Sequence, residues 1–213
     1  MKMNCLLVVA LTFFTAGCVG GRPPQTTEHY MLDYAPPVLG KMAVLDDIFK
    51  VERFSTAQLF NSNAIVYKTS SFSLNSYPHD RWQASPGDLV TDYLVRDFRS
   101  AGLFRAIFSY RDPETTRFSL EGYVMEFLEV REQGTRKALL TLHVTLLDMS
   151  KKENPQKVVF QKLYSHAATC EEKGPGGVAL GLSESMARLS GQIISDAYYA
   201  VKSLHNEQNQ RPD

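Results

Sequence analysis

The side chains able to do chemistry are few, and their spacing argues against most of it. Five histidines stand at positions 29, 79, 143, 166 and 205, with no two at the spacing of a metal pair. His143 and His166 fall on adjacent predicted strands, but two imidazoles without a nearby carboxylate or thiolate make no zinc site. The run Gly181-Leu182-Ser183-Glu184-Ser185 begins like a nucleophile elbow. It lacks the second glycine, and its serine falls inside a predicted helix where the elbow needs a strand-to-helix turn. Gly174-Pro175-Gly176-Gly177 lacks the Gly-Lys-Ser/Thr ending of a phosphate loop and reads as a helix entry. Cys170 sits beside Glu171 and Glu172, whose charge discourages a thiolate. Asp46-Asp47 and Asp112/Glu114 belong to no acid–base motif. No catalytic residue, metal or cofactor is expected. Tyr77-Pro78-His79-Asp80-Arg81-Trp82 differs in kind, because it carries the sole tryptophan just before a helix start. Two readings stand side by side: Trp82 packs ahead of the helix, or Tyr77, Arg81 and Trp82 anchor a partner.

Cys18 is the other informative residue. Residues 5–16 (CLLVVALTFFTA) are almost wholly apolar behind Lys2, and Thr15-Ala16-Gly17 lead to the cysteine. A basic start, a short apolar core and small residues form a secretory signal, and the run is too short to span a bilayer of about 30 Å. With cysteine next, the segment resembles a bacterial lipoprotein signal, which implies cleavage after residue 17 and acylation of Cys18. That resemblance associates inner-membrane retention with aspartate after the cysteine. Val19 stands there, which implies the outer membrane, facing the periplasm. Residues 18–27 are small, polar and Pro/Gly-rich, and read as a flexible tether.

The chain has 23 basic and 23 acidic residues, and the signal carries only Lys2, so the mature domain is nearly neutral. Nucleic-acid binding needs a basic stripe, and none is present. Cys170 is the one cysteine left besides Cys18, so no disulfide within the domain is expected.

The positioning elements follow from periodicity. Short strands are expected over residues 29–34 and 41–45, with a hairpin over residues 63–77. Ser85-Pro86-Gly87-Asp88 opens a helix whose Leu89, Val90, Tyr93, Leu94 and Phe98 share a face, and Gly102 closes it. A strand is expected over residues 103–110. Strands over residues 117–130, 137–148 and 157–169 form a meander, with a bulge expected at Gly122. A long helix over residues 178–204 presents Leu182, Met186, Leu189, Ile193, Ala197 and Val201 as a stripe. The expected architecture is a single α+β domain over residues 28–204, an antiparallel sheet with two amphipathic helices on one face. A polar tail follows over residues 205–213.

Tyr30-Met31-Leu32-Asp33, the hairpin ending in Tyr77–Trp82, Ser85-Pro86, Phe118-Ser119-Leu120-Glu121-Gly122 and Leu189-Ser190-Gly191-Gln192-Ile193 together resemble the ABC-type transport auxiliary lipoproteins. The resemblance spans about residues 28–203. It implies a non-catalytic, membrane-tethered accessory that works with an ABC permease, its ATPase and a mammalian-cell-entry-type substrate-binding protein. Such systems move lipids or other hydrophobic compounds, so lipid is an implied cargo and self-association an implied state. The alternative is an outer-membrane assembly lipoprotein that binds a β-barrel.

Overall fold

In the computed structural model, residues 26–209 are described. The single α+β domain is built around one strand. That strand, β7 (Phe118–Glu132), pairs along its whole length with β8 (Thr135–Asp148), from Phe118↔Asp148 to Glu132↔Thr135. The two turn residues, Gln133 and Gly134, have φ of 49° and 80°. Positive φ at both positions matches the twist of a two-residue hairpin, which is why glycine stands there. β9 (Val158–Thr169) pairs antiparallel with β8 and completes the expected meander.

The other edge of β7 departs from an all-antiparallel sheet. It accepts three strands end to end, all parallel: β2 (Leu45–Val51), β3 (Ser55–Thr56) and β4 (Ala64–Ser70). β6 (Phe104–Ser109) adds to β2 in parallel. β5 (Ser73–Trp82) closes an antiparallel hairpin with β4, and β1 (Glu28–Tyr30) lies parallel to β5. The sheet is therefore mixed. β6 can lie parallel to β2 because the helix at residues 86–101 stands between them in the chain, as a crossover must.

That helix is α1 (Pro86–Ala101). Ser85 caps it by accepting from the Asp88 amide at 3.3 Å, and Gly102 ends it with φ 61°. A single turn, α2 (Asn154–Lys157), precedes β9. The last helix, α3 (Pro175–Asn209), runs past Leu204, so the start of the expected tail is helical, and His205 meets Asp47 at 2.9 Å.

α1 and α3 cover the sheet face that carries Phe118, Leu120, Val124, Phe127, Leu140 and Val144, all buried. The stripe Leu182, Met186, Leu189, Ile193, Ala197 and Val201 is buried as its spacing predicts. The opposite face holds a smaller cluster of Phe60, Val66 and Leu128 under the 3-10 turn Gln58–Phe60.

Gly122 serves a different purpose from the one expected. The register runs unbroken through Gly122↔Val144, and the irregularity falls between Val124 and Glu126, at Met125. A Cβ on Gly122 would lie 2.0 Å from the Phe54 ring. The glycine admits Phe54 to the core. Gly122→Ala is expected to destabilise by about 1–3 kcal/mol, read from urea denaturation. Adding Phe54→Leu should recover part of the loss; no recovery would sink the steric account.

Candidate interaction site

Of the residues singled out from sequence, Cys18 lies outside the described residues. Tyr77, Arg81 and Trp82 share β5 but separate in role. Trp82 is 1% exposed and meets Phe127 edge-to-face at 5.1 Å. The indole is part of the core, in line with the packing reading, and offers no surface as an anchor. Arg81 is half-buried and turns its guanidinium onto the carbonyls of Tyr77 and Asp80, both at 2.8 Å.

Tyr77 enters a charge cluster that the sequence reading missed. Its hydroxyl donates to Glu129 at 2.8 Å and accepts from Arg131 at 2.6 Å and Arg136 at 2.9 Å. Glu129, wholly buried, also pairs with Arg131 at 2.8 Å and with Arg136. Arg131 lies over the Tyr67 ring at 3.6 Å. β7 positions Glu129 and Arg131 in phase with Phe127, and the β7–β8 hairpin brings Arg136 opposite Arg131. Charged residues at core-facing parity on both arms of one hairpin were the available signal. Burial opposes ionisation of Glu129, but the hydrogen bonds from Arg131, Arg136 and Tyr77 outweigh it and hold the carboxyl below its usual range. Burial first, then Glu129, pushes the Tyr77 phenol up to about 12.

A second cluster locks the N-terminal segment to both helices. Asp97, wholly buried on α1, accepts from Tyr34 at 2.7 Å, from Arg96 at 2.8 Å and from Ser190 of α3 at 2.6 Å. Tyr93 donates to the Leu32 carbonyl, and the Asp33 amide donates to Ser183 at 2.9 Å. Ser183, the serine of the elbow-like run, thus ties the N-terminal segment to α3.

His166 Nδ1 lies 3.1 Å from Ser185 Oγ, which is wholly buried on α3. His143 projects to the helix-free face and His166 to the helix-covered one, so the two do not meet. Burial raises the Cys170 thiol. Among the described residues, no group of three or more His, Cys, Asp or Glu side chains converges as a metal site.

What the surface offers instead is apolar. On the helix-free side, Leu59, Lys68, Phe72, Leu74, Met125 and Leu128 line a groove of about 420 Å³. Leu59 is 72% exposed and Phe72 stands fully in solvent.

The profile of the ABC-type transport auxiliary lipoprotein component matches residues 30–194. The chain belongs to that family. Membership ties it to an ABC transport system and to the cell envelope, and the family is not an enzyme class. No curated protein matches the chain. Among solved structures, it is similar to protein XCC0632 from Xanthomonas campestris, described as family DUF330. The TM-score is 0.76 at 16% identity, over 84% of this chain and 99% of that one. An uncharacterized protein follows at TM-score 0.64 and 13% identity, over 81% and 99%. The hypothetical protein CT253 from Chlamydia trachomatis follows at 0.50 and 8%, over 74% and 98%. At such identities these likenesses show the fold alone.

Proposed function

We propose that this auxiliary lipoprotein is a non-catalytic subunit of a mammalian-cell-entry-type ABC system that moves lipids or other hydrophobic compounds across the envelope. It is acylated at Cys18, held on the outer membrane facing the periplasm, and docks the transport assembly there. The observation that carries the reading is the family match over residues 30–194, which covers nearly all of the folded domain. The lipoprotein-like signal ending at Cys18 supports the anchor. Among the described residues, no helix is long and apolar enough to cross a membrane, so an acyl anchor would supply the attachment. The permease, the ATPase and the substrate-binding protein would be separate chains.

The test is in-cell photocrosslinking with a photoreactive amino acid at His79 on β5 and at Tyr199 on α3, both exposed. A crosslinked mammalian-cell-entry-type subunit is the expected product. A β-barrel as the sole product would move the protein to outer-membrane assembly. In the same cells, Cys18→Ala is expected to shift the protein from the membrane to the soluble fraction. Unchanged membrane retention would remove the acyl anchor from the reading.

A further inference from the structure

We infer that the tip of the β4–β5 hairpin is a second membrane contact, with Phe72 entering the bilayer interface beside the acylated N-terminus. The inference rests on the reading of Cys18 as the lipid site. It starts from the tip itself. Ser70 and Ser73 close the hairpin and leave Phe72 fully exposed at its turn, with Leu74 partly exposed beside it. A phenylalanine in that position gains nothing from its own fold. The residues around it are uncharged serines, a threonine and an asparagine, with Lys68 the only charge between Tyr67 and His79. An apolar residue flanked by small polar groups and one cation suits an interface of acyl chains and anionic headgroups. Glu126, the carboxylate that lines the adjoining groove, accepts from Thr141 at 2.6 Å and is turned toward β8.

The direction in which the chain enters β1, together with the length of chain between Cys18 and Glu28, argues for a bilayer as the occupant. β1 lies parallel to β5, with Glu28 opposite Asp80 and Tyr30 opposite Trp82. At Glu28 the chain therefore enters β1 from the side of the sheet on which the hairpin tip lies. From Asp80 to Phe72 is eight residues, about 26 Å of strand. From Cys18 to Glu28 is ten, with a reach of about 33 Å. Ten residues are thus enough for an acyl group on Cys18 to come level with the tip, where Phe72 stands exposed. Lys68 pairs with Val130, so the β7–β8 turn Gln133–Gly134 lies at the same end, flanked by the exposed Glu132. Glu171 and Glu172 also lie at this end, ahead of α3, so the contact is confined to the hairpin.

The experiment uses the full acylated chain in vesicles of phosphatidylethanolamine with a minority of phosphatidylglycerol. With Cys18 acylated and Cys170 buried, Phe72→Cys provides one reactive thiol for an environment-sensitive fluorophore. Thr115→Cys and Lys152→Cys place the same label at the opposite end of the sheet. The expected result is blue-shifted emission at position 72, quenched by spin-labelled lipid, with positions 115 and 152 unaffected. A label at 72 that behaves like one at 152 on vesicle-bound protein overturns the hairpin contact and leaves the acyl anchor standing. Shielding from an aqueous quencher without quenching by lipid assigns the tip to a protein partner and also overturns it. A chain that leaves the cell without an acyl group sinks the anchor reading and this inference together. With Cys18→Ser removing the anchor, adding Phe72→Ala is expected to lower vesicle binding by about tenfold; an unchanged binding curve would count against Phe72.

Discussion

Trp82→Ala is expected to destabilise the domain by about 3–5 kcal/mol, the largest loss from any single side chain considered. The indole is almost wholly buried, packs on Phe127 and belongs to the main core. Its backbone amide donates to the Asn63 carbonyl at 2.7 Å, and its strand pairs with both β4 and β1. Truncation therefore opens a cavity where three strands converge. Trp82 Nε1 has no hydrogen-bond partner among the described residues. Trp82→Phe removes that orphan donor along with part of the ring, and its loss is expected at about 1–2 kcal/mol. Urea denaturation followed by circular dichroism measures both. An alanine variant as stable as the parent would refute the core assignment. Because Trp82 is the sole tryptophan, native emission should resist aqueous quenchers and stay unchanged when partners bind. That outcome separates a core indole from an interface anchor.

Glu129→Gln ranks second, at about 3 kcal/mol at neutral pH. Removing one member of a buried ion pair leaves the others uncompensated, ordinarily about 3–5 kcal/mol. Arg131 and Arg136 keep 30% and 19% of their side chains exposed and can hydrate, which keeps the loss at the low end. The pH dependence follows from direction. The folded carboxyl binds its proton less readily than the unfolded one, so its contribution is complete above the ordinary glutamate value of about 4.3. It declines as acidification carries the folded group through its own lower value. Tyr77 runs the opposite way. Its contribution is complete below about 10 and is lost as the pH rises toward about 12. Glu129→Gln should flatten the acid limb of a stability–pH curve and Tyr77→Phe the alkaline limb. An acid limb as steep in Glu129→Gln as in the parent would assign acid sensitivity to other carboxylates, such as Asp88 and Asp148, which are also held low.

Elements whose signals are local were legible from sequence. Ser85, Pro86 and Gly102 mark both ends of α1 because caps act within one turn. The alternation Ala138, Leu140, Leu142, Val144, Leu146 declares the buried face of β8, and all five are buried. β2 was obscured, since Asp47 occupies a core-facing position between Leu45 and Phe49 and breaks the alternation. Its compensation, His205, stands far along the chain. The Glu129 cluster escaped for the same reason. Its members are individually ordinary strand residues, and only the pairing of β7 with β8 and the placement of β5 bring them together. Parallel pairing leaves no turn signature at all, which is why the mixed sheet was not read.

The three strands queued along one edge of β7 set the order in which this protein can fold. Phe49 must find Phe118 and Tyr67 must find Glu129, partners separated by more than sixty residues. Loop closure over such distances precedes any reward from pairing, so folding belongs to the slow, high-contact-order class. The β7–β8–β9 meander pairs strands consecutive in the chain and is expected to form first. A chain delivered from its N-terminus therefore exposes residues 45–70 with no sheet to join until residue 118 has followed. That interval is where the chain is most open to aggregation.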